Sequence, residues 1–221
     1  MKTAIKNIIF DLDGTLIDSA PSILAGFSFA LESMGVEAQV PLEPTLIGPP
    51  LIETLSILSG LTSKTSLDKM AFAFKEYYDS TGYLQSLPYE GVERVLKSLK
   101  EDGVSLHLAT NKRLTPTLKI LECMSWSNLF SSIYTLDMLG RNFKTKGEML
   151  AAQIQDIKIN TKHTLYVGDR NEDRLAAQEN NLGFVWANWG YDAFNATQPP
   201  SHNCPVINSV SELLIVLKAY P

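Results

Sequence analysis

The sequence predicts an α/β fold, a doubly wound parallel sheet with an all-helical insertion directly after its first strand. Three observations predict it. Short apolar runs alternate with helical periodicity from residue 88 onward; residues 17–86 carry helical spacing and no strand-like run; and polar clusters follow the predicted strands. Alternating strands and helices imply a parallel sheet covered on both faces. Ligands of such sheets bind outside the carboxyl ends of the strands.

The first element is Ile8-Ile9-Phe10, a short buried strand that runs into Asp11-Leu12-Asp13-Gly14-Thr15. Alternate residues of a strand share a face, so Asp11 and Asp13 leave it on one side. Gly14 permits the sharp turn that follows. Two carboxylates held this close are unfavourable unless a cation or a reacting group uses them.

Helices come next. Pro21 suits a first turn with Ser19 as its cap, and Ile23, Leu24, Phe27, Leu31 and Met34 recur at helical spacing up to Gly35. A proline-broken loop runs from Pro41 through Ile47-Gly48-Pro49-Pro50, and residues 51–58 and 67–78 read as two further helices. After Pro88 the rhythm changes. Residues 92–99 form a helix, and 104–109 a strand ending at Thr110. Residues 113–123 form a helix that tolerates Pro116 in its first turn. Strands at 132–136, 164–167 and 183–187 alternate with helices at 146–155 and 172–180, and 211–217 is a last helix. The division expected is 1–16 and 87–221 for the α/β part and 17–86 for the insertion.

Bulk properties exclude several classes. With 24 acidic against 19 basic residues and a net charge of −5, the chain is not a non-specific nucleic-acid binder. Cys123 and Cys204 lack metal-ligand spacing and read as free thiols in a reducing compartment. Nothing approaches a membrane span. Lys2 and Lys6 precede an apolar run that is too short for a signal sequence and is broken by Asp11. A cytoplasmic protein acting on a small molecule is expected.

The string Asp11-Leu12-Asp13-Gly14-Thr15 resembles the D-x-D-G-T motif of the haloacid dehalogenase-like superfamily of phosphatases and phosphotransferases. The resemblance implies a Rossmann-like core with a small helical cap inserted behind the first motif. Hinge strands near 16–19 and 85–89 would join the two. It also implies that Asp11 is the nucleophile, forming an aspartyl-phosphate, and that Asp13 is the general acid and base. A carboxylate nucleophile splits one hard displacement into two easier ones, and a second carboxyl shuttles the proton. The dehalogenase branch lacks the second acid, so Asp13 points to phosphoryl transfer.

Three more clusters match family motifs in order. Thr110-Asn111-Lys112 corresponds to the second, in which Thr110 binds the phosphate, and a hydroxyl with exposed amides, Asn111 beside it, suits an oxyanion. The third is a lysine that offsets the charge of the nucleophile and phosphate. Lys146 is preferred over Lys144 because it directly precedes an apolar-periodic helix. Gly168-Asp169 with Asp173 corresponds to the fourth. The resemblance therefore implies Mg2+ held by Asp11, the Asp13 backbone carbonyl and Asp169. Asp173 would ligate through water or support the site, although an acid in a first helical turn also suits the helix dipole.

The insertion decides the leaving group in this family. Between Ala20 and Ser86 it has no arginine and only Lys64, Lys69 and Lys75 as cations. A second phosphate would favour arginine, so a monophosphate is expected, with the stiff apolar loop at 47–50 as a specificity element. The chain resembles phosphoglycolate-phosphatase-like members, among which some nucleotidases also fall. A sugar phosphomutase shares all four motifs. A phosphorylatable receiver domain has no use for a helical insertion of this size. His107, His163 and His202 have no nucleophile beside them, and Trp186, Trp189 and Tyr191 read as packing residues.

Overall fold

The computed structural model describes residues 5–141, 143–192 and 204–219; Lys2 and His202 lie outside them. The main sheet is built from β1 (Asn7–Phe10), β4 (Ser105–Thr110), β5 (Phe130–Thr135), β6 (Thr164–Gly168), β7 (Gly183–Ala187) and β8 (Val206–Ile207). All neighbours are parallel, in the order β5-β4-β1-β6-β7-β8. Helices α4 (Val92–Glu101), α5 (Leu114–Cys123), α6 (Lys146–Asp156), α7 (Asn171–Glu179) and α8 (Leu213–Ala219) connect the strands or close the chain.

The central strands are apolar on both faces, as a covered parallel sheet requires. Ile8, Phe10, Leu106, Leu108, Leu165 and Val167 share one cluster with Val95 and Leu99 of α4. Ile9, Ala109 and Tyr166 point the other way, onto Met149 and Leu150 of α6 and Ala177 of α7. In register, Phe10 lies opposite both Leu108 and Val167. The residues that follow these three strands therefore emerge together at one edge.

The insertion comprises α1 (Ala20–Met34), α2 (Leu51–Ser59) and α3 (Lys64–Ser80). Its apolar faces form their own cluster, including Ile23, Phe27, Leu55, Met70 and Phe74. A short antiparallel pair, β2 (Ile17–Asp18) with β3 (Leu87–Pro88), connects it to the sheet.

Several boundaries differ from the expected ones for physical reasons. Helix α3 starts at Lys64, three residues early, because its first turn is polar and shows no periodicity. Strand β5 starts at Phe130, where Ser131 and Ser132 blur the apolar pattern. Strand β8 is two residues long, too short for a sequence pattern. Ser19 precedes α1, but its hydroxyl makes no capping bond and instead donates to Asp13 Oδ1 at 2.5 Å.

Candidate active site

The carboxyl edge of the sheet gathers the sequence-predicted residues. Asp11 continues β1, its backbone N–H donating to the Val167 carbonyl at 2.9 Å. The chain then turns tightly: the Leu12 carbonyl accepts from Leu16 and Ile17, and the Gly14 N–H donates to Ile17. Gly14 has φ +81°, and a Cβ there would lie 2.3 Å from Asp169 Oδ2. Glycine is thus required twice over, for a left-handed backbone and for the close approach of the first and fourth motifs.

Lys146 is the first residue of α6. The preceding Thr145 caps that helix by accepting from the Glu148 N–H at 3.1 Å. The buried Lys146 ammonium donates to Asp11 Oδ1 at 2.9 Å and to Asp173 Oδ1. Lys144 is exposed, so Lys146 is the lysine that faces the site.

Asp169 and Asp173 are fully buried. Asp169 accepts from the Thr15 hydroxyl at 3.1 Å and the Tyr191 N–H at 2.7 Å. Asp173 accepts from Lys146 and the Tyr166 hydroxyl on one oxygen, and from the Arg170 N–H on the other. Both of its oxygens are thus engaged, which matches a supporting place more closely than an open ligand.

Asp11, Asp169 and Asp173 each offer an oxygen within 4.8 Å of the others. Burial pushes Asp11 up to about 8, with Lys146 pulling it down and Asp173 and Asp169 pushing it up. Burial likewise pushes Asp169 to about 7, helped by Asp173. Burial alone would lower Lys146, yet Asp11 and Asp173 outweigh it and hold the ammonium well above its ordinary value. Three buried acids against one lysine leave the site short of positive charge, and an all-oxygen donor set suits a hard divalent cation. The residues present therefore fit a metal.

Asp13 lines the same pocket with a separate set of partners. Its carboxylate accepts from Lys112 Nζ at 2.9 and 3.2 Å and from Ser19. Thr110 ends β4 buried, its Oγ1 accepting from the Lys112 N–H at 3.2 Å. Asn111 donates through Nδ2 to Glu172 and to the Gly48 carbonyl, so it bridges the core to the insertion. A cavity of about 90 Å³ has Asp11, Asp13, Thr110, Asn111 and Lys146 on its polar side.

Several residues at this site carried no role in the sequence. Lys112 was visible in the second motif but unassigned. It pairs with Asp13 and donates to the Tyr78 hydroxyl of α3 at 2.7 Å. Asp13 and Tyr78 outweigh burial and raise its pKa. Tyr191 packs as expected but also positions Asp169 and donates to Asp18 at 3.1 Å. Trp189 donates to the Thr15 carbonyl. Arg170 donates to the Ile47 and Thr45 carbonyls. Most of these contacts join segments far apart in sequence, 34 residues for Lys112 with Tyr78, 123 for Arg170 with Ile47 and 174 for Trp189 with Thr15, so no local spacing announces them. His107 and His163 lie away from these acids: His107 is buried within β4 and bonds Ser132 and Asn7, and His163 ends a short turn before β6.

Known proteins resemble the chain over most of its length. The model of the haloacid dehalogenase-like hydrolase family matches residues 8–187. A 5'-nucleotidase of Pseudomonas aeruginosa is 28% identical over 218 residues, covering 94% of this chain and 95% of the relative. A phosphoglycolate phosphatase of Vibrio parahaemolyticus is 30% identical over 224 residues, 96% of each. The crystal structure of a predicted phosphatase from Clostridium acetobutylicum superposes with a TM-score of 0.86 at 27% identity, over 97% of this chain and 99% of that one. The chain belongs to the haloacid dehalogenase-like hydrolase family, among its phosphatase-like members.

Proposed function

We propose that the protein is a magnesium-dependent phosphomonoesterase that cleaves a small-molecule phosphate ester through an aspartyl-phosphate at Asp11. One arrangement carries the proposal: the Asp11 carboxylate, held by Lys146 at 2.9 Å, opens onto a pocket that also receives Asp13 and Thr110. An Asp11 oxygen attacks phosphorus and the ester P–O bond breaks, while Asp13 gives its proton to the leaving alcohol. Asp13 then takes a proton from water, whose oxygen attacks phosphorus. The bond to Asp11 breaks and inorganic phosphate departs. Lys146 and the Thr110 hydroxyl hold phosphate oxygens throughout, and the ammonium offsets the charge that collects there.

Asp11, the Asp13 carbonyl and Asp169 would hold the magnesium ion, with Asp173 keeping Lys146 in place. Bound there, the ion would supply Lewis-acid withdrawal of charge from phosphorus. Residues 1–16 and 87–221 form the catalytic core in this proposal, and 17–86 the cap over the leaving group. The acidic chain and its two free cysteines favour a cytoplasmic enzyme with no nucleic-acid partner. No helix among the described residues is long and apolar enough to cross a membrane.

Hydrolysis of 4-nitrophenyl phosphate tests the proposal. Turnover should require Mg2+, cease with EDTA, and fall at least about a thousandfold in Asp11→Asn. Metal-independent turnover or an active variant contradicts it. A phosphomutase would instead return an isomerised phosphate ester and little free phosphate.

A further inference from the structure

The cap side of the pocket is unlike its floor. Opposite Asp11, Asp13, Thr110 and Lys146 stand Ile23 and Phe27 of α1, Ile47, Leu51 of α2 and Phe74 of α3. We propose that this wall selects a compact apolar alcohol as the leaving group, esterified with one phosphate and carrying no second anion. The inference rests on the phosphomonoesterase reading and deepens it.

Four observations lead there. First, the cap offers the pocket almost no hydrogen-bonding partner. The Tyr78 hydroxyl is taken by Lys112, whose ammonium lies 4.6 Å from the Tyr78 ring centroid. The hydroxyls of a sugar placed against this wall would lose water without replacement, at roughly tenfold or more in affinity apiece.

Second, the carbonyls of the loop are already engaged by core side chains. The Thr45 and Ile47 carbonyls accept from Arg170, and the Gly48 carbonyl accepts from Asn111 at 2.9 Å. The loop therefore presents Ile47 and Pro49 to the cavity. Gly48 has φ +127°, and a Cβ there would lie 2.5 Å from Arg170 Cδ. The wall is held from two motif loops of the core.

Third, each cation on the pocket wall already has partners. Lys112 pairs with Asp13, Arg113 pairs with Asp79, and Arg170 is bonded to the loop carbonyls. A carboxylate or second phosphate on the substrate would have to displace one of these contacts. Fourth, the cavity is small. Its volume of about 90 Å³ is room for several water-sized groups beside the acids.

The test compares kcat/KM for n-butyl phosphate and phenyl phosphate with that for glycerol phosphate, phosphoglycolate and AMP. The apolar esters should lead by about tenfold or more. Ile47→Asn, which places a donor and an acceptor on the wall, should shift the ratio of glycerol to butyl ester about tenfold toward glycerol. Binding gives a second readout that does not depend on turnover. By calorimetry, phenylphosphonate should bind the magnesium-loaded protein at least tenfold tighter than phosphonoacetate. Hydrolysis that favours the glycerol or glycolate ester overturns the pocket proposal and leaves the phosphatase reading intact. If no ester is hydrolysed the phosphatase reading falls, and tighter binding of phosphonoacetate still decides against the pocket.

Discussion

Lys146 sits between Asp11 and Asp173 with 3% of its surface exposed. Removing its charge leaves two buried carboxylates uncompensated, a change that costs about 3–5 kcal/mol in comparable sites. Lys146→Met should lower stability by about that much in urea unfolding, with part of it restored by Mg2+, and should lower kcat at least about a hundredfold. His107 behaves differently. Its ring bonds Ser132 through Nδ1 at 2.9 Å and Asn7 through Nε2 at 3.3 Å, which suits a neutral imidazole. Burial lowers its pKa from 6.5 to about 4, so the unfolded chain binds the proton more readily. The stability that His107 contributes is therefore complete above pH 6.5 and is lost as pH falls toward 4. Its size is on the order of 2 kcal/mol. Melting temperature against pH should fall less steeply across this window in His107→Gln. Residue identity was legible where chemistry is local: Asp11, Asp13, Thr110 and Lys146 stand in short motifs. Lys112 and Arg170 lay in those same motifs, yet their partners Tyr78 and Ile47 come from the cap, and no spacing announces a contact between distant segments.

Among the elements, the turn after β1 bears a double constraint, of backbone angle and of space. Gly14→Ala would impose an unfavourable backbone at φ +81° and drive a methyl into Asp169. We expect kcat/KM to fall roughly a hundredfold from displaced acids, with an unchanged far-ultraviolet circular dichroism spectrum. An active variant would show that the first and fourth motifs need not touch. The central strands were readable because both faces are apolar, as with Ile8 and Ile9, which enter opposite clusters. The polar start of α3 and the two-residue β8 were not, since neither carries a periodic signal. The 47–50 loop showed its stiffness in sequence through Pro49 and Pro50, while its anchoring by Arg170 and Asn111 emerged only from the fold.

At the scale of the whole molecule, the parallel sheet brings four separated motifs to one edge, and the helical insertion, joined to it through the β2–β3 pair, lines the same pocket. The ion pair of Arg113 with Asp79 and the bond from Lys119 to the Asp79 carbonyl fasten α3 to the core. Polar floor and apolar wall thus come from different parts of the chain, a division that under the proposed function separates phosphoryl chemistry from the choice of alcohol. The absence of arginine from the insertion could be counted in sequence. That Arg113 and Arg170 of the core would reach the same pocket could not. In the proposed mechanism phosphate passes through Asp11. Borohydride reduction of the protein quenched during turnover, followed by peptide mass spectrometry, tests it most directly. Homoserine is expected at position 11, dependent on substrate and Mg2+ and absent without either. Steady turnover with no reduced residue at position 11, or with the modification elsewhere, would contradict it.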